Sequence, residues 1–156
     1  LSMSNDEKKV LSRHEFNEKL ASHAAEMKQD KKLYQDALDV KVRAGHDYYW
    51  VHQTKWLGEP CLQLPQDLIT LQETIYKCKS DYIIELGVCW GGSTLIMANI
   101  LDIVGGTGII GVDIYMPEYV RTAIQSKKAQ NINIDLYENS STDLEIFEKV
   151  KSQVAG

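Results

Sequence analysis

Tyr82-Ile-Ile-Glu-Leu-Gly-Val-Cys-Trp-Gly-Gly-Ser93, followed further on by Gly111-Val-Asp-Ile114, decides the fold of this chain. A short, continuous apolar run of the kind found in buried parallel sheets enters a glycine-rich turn, and the turn opens a helix. A second apolar run then ends on an acid, Asp113, 26 residues after Gly87. Strand, glycine turn, helix and acid-tipped strand together describe a cofactor site of the nucleotide type. Such a turn brings backbone close to a ligand, and the helix start supplies unpaired N–H groups and partial positive charge.

Spacing narrows the ligand. Dinucleotide sites follow G-x-G-x-x-G, in which the middle glycine admits the pyrophosphate. Counting from Gly87, that place holds Cys89, whose side chain would crowd a pyrophosphate. The pattern here is Glu85-x-Gly87-x-x-x-Gly91-Gly92, with Ser93 at the helix start. S-adenosylmethionine has no phosphate and fits better. Glu85 suits its ammonium, directly or through water, and the amides of the Gly87–Gly92 loop, Val88 included, suit its carboxylate. Asp113 suits the ribose hydroxyls, and Ile114 one face of the adenine. Asn139, with Ser140 as second choice, lies after the third strand, where a polar group reaches the adenine amino group. An NAD-dependent oxidoreductase is the remaining alternative of this class. Asp113 also reads as a plain strand-end cap, and Trp90 as either a pocket wall or an interface residue.

Outward from this centre, strands alternate with helices. Strands are expected at Tyr82–Leu86, Ile109–Ile114 and Ile132–Leu136. Helices are expected at Ser93–Val104, Glu118–Gln130 and Thr142–Val150. This alternation predicts an α/β, Rossmann-like parallel sheet. Upstream, Pro65-Gln-Asp67 opens a helix with Leu68, Ile69, Leu71 and Ile75 as its apolar stripe. Residues 46–65 are aromatic and turn-rich, fitting either core packing or a lid. Residues 4–45 read as a polar helical arm stopping at Gly45. The expected division is an arm over 1–45 and a cofactor-binding domain over 46–156.

Bulk properties set the boundaries. The chain has 156 residues, 44% hydrophobic and 25% charged, and a net charge of −5. That suffices for one cored domain and argues against nucleic acid or an anionic membrane as partner. No apolar run approaches the roughly 18 residues of a membrane span. Cys61, Cys78 and Cys89 form no metal-binding or disulfide spacing. With no secretory leader apparent, reduced thiols and a cytoplasmic location are expected. His14, His23, His46 and His52 have no ligand spacing, so no metal site is expected.

Ile84-Glu-Leu-Gly-Val-Cys-Trp-Gly-Gly-Ser93 resembles motif I of the cephalosporin hydroxylase family of class I methyltransferases. Trp56-Leu-Gly-Glu-Pro60, Gln63-Leu-Pro-Gln-Asp67 and Gln72-Glu73 resemble that family's lead-in segment. Asn139-Ser-Ser-Thr-Asp143 and Phe147 resemble the stretch after its third strand, although Glu138-Asn139 replaces the common Gly-Asp pair. The resemblance implies S-adenosylmethionine-dependent methylation, directed at oxygen on a small hydroxyl-bearing natural product or sugar, and the first three strands of a seven-stranded sheet. It also implies that the later strands carry the divalent-metal ligands and catalytic acids. No catalytic residue is therefore assigned here, and a metal is expected only in a complete protein. The chain is expected to be the cofactor-binding half, with a non-catalytic binding module or incomplete fragment as alternatives. The helical arm suggests a homo-oligomer or simple packing.

Overall fold

The computed structural model describes residues 10–155. The expected start of the arm at residue 4 lies outside them. Two compact units divide between Tyr48 and Tyr49. The first holds helices α1 (Arg13–Gln29) and α2 (Lys31–Tyr48). Ser12 caps α1 in a reciprocal capping box with Glu15, which satisfies two orphan N–H groups. Asp30 accepts from the Leu33 N–H at 2.9 Å at the start of α2. Neither helix contains a buried residue. Gly45 does not end the arm, because α2 continues to Tyr48. A single glycine weakens a helix by only about 1 kcal/mol and does not stop it without a cap geometry.

The second unit carries the sheet. A 3-10 turn at Trp50–His52 precedes a small hairpin of β1 (Lys55–Trp56) and β2 (Glu59–Pro60). Leu57 (φ 50°) and Gly58 (φ 90°) make its two-residue turn, the left-handed geometry that matches strand twist. Helix α3 (Pro65–Cys78) begins with Pro65 in its first turn, where the missing N–H is harmless. Then follow β3 (Tyr82–Leu86), α4 (Gly92–Val104), β4 (Gly108–Asp113), α5 (Glu118–Lys127), β5 (Asn133–Glu138) and α6 (Leu144–Val154). The three longer strands form a parallel sheet in the order β3-β4-β5.

Strand β4 is central, and its side chains alternate between two apolar layers. Ile109 joins the larger layer with residues of α3, α4 and α5, such as Ile75, Leu101 and Ile124. Ile110 and Val112 face the other way, onto Ile146 and Val150 of α6. The sequence-based expectation that β3 is buried needs correction. It is an edge strand, with Ile84 and Leu86 48% and 65% exposed. Its apolar composition suits a strand flanked on both sides, and β4 alone has that position here. The other edge is treated differently. The carbonyls of Ile134 and Leu136 on β5 accept from Gln125 Nε2 (3.3 Å) and Arg121 Nη1 (3.0 Å) of α5.

Candidate cofactor site

Parallel strands present their carboxyl ends together. Register pairs Leu86 with Val112 and Asp113 with Glu138, so the loops after β3, β4 and β5 meet along one edge. Three recesses border the loop after β3, one of them against Cys89, Trp90, Asp113 and Tyr119, and the other two share Gly87. The first of these two, about 310 Å³, is lined by Glu85, Gly87, Cys89, Trp90 and Ser93, and also by Pro60–Gln63. The second, about 230 Å³, is lined by Asp113, Ile114, Asn139 and Ser141. Leu86 and Gly87 line both. This is the crevice outside the strand ends where open α/β sheets bind ligands.

The glycines have unequal tasks. A Cβ on Gly87 would meet nothing within 4 Å, and its φ of +93° favours glycine. Of the three glycines here it is the one whose backbone faces open space. A Cβ on Gly91 would lie 2.7 Å from Ile124 Cδ1. On Gly92 it would lie 2.4 Å from the Pro60 carbonyl oxygen. Gly91 and Gly92 therefore serve the packing of α5 and of the hairpin. Cys89 has φ 50°, so it keeps the left-handed conformation usual for glycine while retaining a side chain.

Asp113 holds the loop. Its Oδ2 accepts from the Cys89 N–H at 2.8 Å and its Oδ1 from the Tyr115 N–H at 3.1 Å. Burial alone would raise its pKa, but the amides of Cys89, Tyr115, Val88 and Ile114 overcome that and hold the carboxyl below its ordinary value. It is ionised at neutral pH, with remaining lone pairs for ligand hydroxyls.

Glu85 behaves oppositely. Its pKa is raised to about 7, chiefly by burial, with the Ser93 and Thr94 hydroxyls opposing the rise and the Asp113 charge adding to it. Ser93 Oγ and Thr94 Oγ1 each donate to one of its carboxylate oxygens. Thr94 is fully buried and has no place in the sequence-based site. Two hydroxyls eight and nine residues after an acid, in the first turn of a helix, were its available signal. The Cys89 thiol is pushed up by burial, against the Trp90 amide and with the Asp113 charge. It is held in the form that does not act as a nucleophile.

The remaining expected residues divide. Ile114 is 77% exposed at the rim of the second recess. Asn139 lines that recess, and its Oδ1 accepts from the Ser140 N–H at 2.7 Å. Its amide nitrogen is the group left for a ligand. Ser140 does not line the recess; its hydroxyl pairs with Thr142 Oγ1 at 2.8 Å, and Ser141 takes the lining position. Trp90 stands beside Tyr119, ring centroids 6.1 Å apart. Among the described residues no group of three or more His, Cys, Asp or Glu comes together as a metal site. No helix there is long and apolar enough to cross a membrane.

Sheet order, glycine loop and acid-tipped second strand define a Rossmann-like domain of the class I methyltransferase kind. A family profile described as "Rhamnosyl O-methyltransferase/CmcI" matches residues 48–156, and the chain belongs to that family. Among solved structures, an apo form of CmcI is 24% identical, with a TM-score of 0.50 over 64% of this chain and 41% of its own. CmcI with Mg and SAM is 24% identical, with a TM-score of 0.47 over 62% and 40%. CmcI with SAH is 22% identical, with a TM-score of 0.41 over 54% and 42%. The chain thus spans about two fifths of the solved chains it resembles. No protein with a curated function matches it.

Proposed function

We propose that this chain is the donor-binding portion of an S-adenosylmethionine-dependent O-methyltransferase acting on a hydroxyl-bearing small molecule. The observation that carries the reading is the pair of recesses meeting over Gly87, one holding Glu85 and the other Asp113. An elongated zwitterion with a ribose fits that division. Its ammonium lies toward Glu85, its ribose hydroxyls toward Asp113, and its base between Ile114 and Asn139. Cys89 at the place of the pyrophosphate glycine speaks against a dinucleotide. When bound, S-adenosylmethionine supplies an electrophilic methyl group for transfer to oxygen. The residues present hold and align that donor, and alignment accounts for much of the rate in such transfers. The family description, and SAM and SAH in the solved CmcI chains, support the same reading.

Calorimetric titration tests it. S-adenosylmethionine and S-adenosylhomocysteine are expected to bind and NADH not to. No heat with either sulfur ligand at about 1 mM, the weak limit of specific binding, overturns the proposal. Binding without methyl transfer to any hydroxyl acceptor favours the binding-module alternative.

A further inference from the structure

The first recess has two walls, and only one belongs to the glycine loop. The other is the segment Pro60–Gln63, held by unusual means. Trp56 Nε1 donates to Asn99 Oδ1 on α4 at 2.9 Å. Lys127 Nζ on α5 donates to the Leu57 carbonyl at 3.0 Å and pairs with the Glu59 carboxylate. The Cys61 N–H donates to the Thr54 carbonyl at 2.9 Å. The chain then passes through Leu62 at φ 49°, a left-handed conformation that an ordinary side chain adopts at a cost. Gln63 follows immediately. It is half-buried, lines the recess, and its side chain is engaged by no other described residue.

Three amides of the loop wall are already engaged. The Gly87 N–H donates to the Val112 carbonyl at 2.8 Å and the Gly91 N–H to the Val88 carbonyl at 2.9 Å. The Cys89 N–H is held by Asp113. The start of α4 at Gly92 lies against the Glu59 and Pro60 carbonyls, which present negative partial charge to an anion. The acid of this recess is Glu85, and no Lys or Arg lines it. A zwitterion's ammonium is therefore provided for, and beside the first-turn amides of α4 its carboxylate finds one unengaged side-chain amide in the recess, Gln63.

We infer that Gln63 binds the α-carboxylate of the donor's amino-acid end through its side-chain amide, in the recess that holds Glu85. The inference rests on the donor reading above and names the residue that sets its selectivity for an intact amino-acid end. It assigns the hairpin a purpose: the hairpin carries Gln63 on a support fixed to α4 and α5, and rigid support is what accurate ligand positioning requires.

The test compares two ligands on the full chain. S-adenosylhomocysteine has the amino-acid end, and 5′-methylthioadenosine lacks it. Gln63→Leu is expected to weaken S-adenosylhomocysteine about tenfold or more, the effect of losing a hydrogen bond to a charged group. It should leave 5′-methylthioadenosine within about twofold, since that ligand lacks the carboxylate. Gln63→Glu, nearly isosteric, is expected to weaken S-adenosylhomocysteine further by placing a second negative charge there. Unchanged S-adenosylhomocysteine affinity in both variants, with the parent binding it, overturns the role of Gln63 alone. Equal losses for both ligands also overturn it and reduce Gln63 to a structural part. A parent chain that binds neither ligand overturns the donor reading together with it.

Discussion

Asp113 accepts a hydrogen bond from the backbone N–H of Cys89 at 2.8 Å, tying the tip of β4 to the loop after β3. The acid has two tasks, shaping the loop and facing the ligand, and its replacement tests both. Asp113→Ala should destabilise the folded chain by about 1–3 kcal/mol in urea titrations, the range for a hydrogen bond to a charged acceptor. It should also weaken S-adenosylhomocysteine at least about tenfold. Because the folded pKa lies below its ordinary value, the stabilisation is present near neutral pH. It is lost as pH falls through that lowered value.

Glu85 titrates with the opposite sign. Its pKa rises from 4.5 to about 7 on folding. Between those values the folded chain keeps a proton that the unfolded chain has released. Stability therefore falls as pH rises through this window, by on the order of 3 kcal/mol in all. Glu85→Gln should flatten the profile, match the parent near pH 4 and exceed it in urea midpoint near pH 8.

The same proton governs binding. An ammonium favours the ionised form of Glu85, so S-adenosylmethionine should bind more tightly at pH 8 than at pH 6. Protons should be released on binding between those values, and buffers of different ionisation heat detect them in calorimetry. Glu85→Gln should abolish the release and weaken binding at pH 8.

Gly92 and Gly87 should fail in different assays. Gly92→Ala puts a Cβ 2.4 Å from a backbone oxygen of the hairpin. A destabilisation of about 1–3 kcal/mol is expected, as for other overpacked sites. Gly87→Ala meets open space. It strains the backbone by roughly 1–2 kcal/mol and places a methyl group where the two recesses meet, so its ligand affinity should fall further than its stability explains.

Cys89 tests the loop's conformation. Cys89→Gly should change stability by less than about 1 kcal/mol, because released strain and greater unfolded-state freedom oppose each other. Cys89→Val should cost about 1–2 kcal/mol more, since a β-branched side chain tolerates φ near 50° poorly. Thermal melts of both variants beside the parent check the order.

Strand β3 was legible to the residue, because Asp81 and Gly87 bracket a run that is apolar but for Glu85. Helix α3 was legible from Pro65, and α6 in part: expected over Thr142–Val150, it runs over Leu144–Val154 with Asp143 as its cap. The hairpin was not legible. Two-residue strands carry no alternation, and their pairing depends on Lys127, 68 residues beyond Glu59. The edge position of β3 was hidden for a related reason: composition reports what a strand prefers to face, not how many neighbours it has. Within the site, Glu85, Gly87 and Asp113 stood out by spacing. Gln63 and Thr94 did not, because their importance comes from what lies opposite them.

The two margins of the sheet differ in sociability. Side chains from α5 occupy main-chain acceptors along β5, the kind of guard that discourages further pairing. Along β3, Ile84 and Leu86 remain half-bare at a margin that no described strand extends. In concentrated solution that margin is a template for main-chain pairing with any passing extended segment, a second copy of β3 included. That margin is made by the same five residues that carry Glu85 to its recess. Any segment that pairs there will touch the strand that presents the acid.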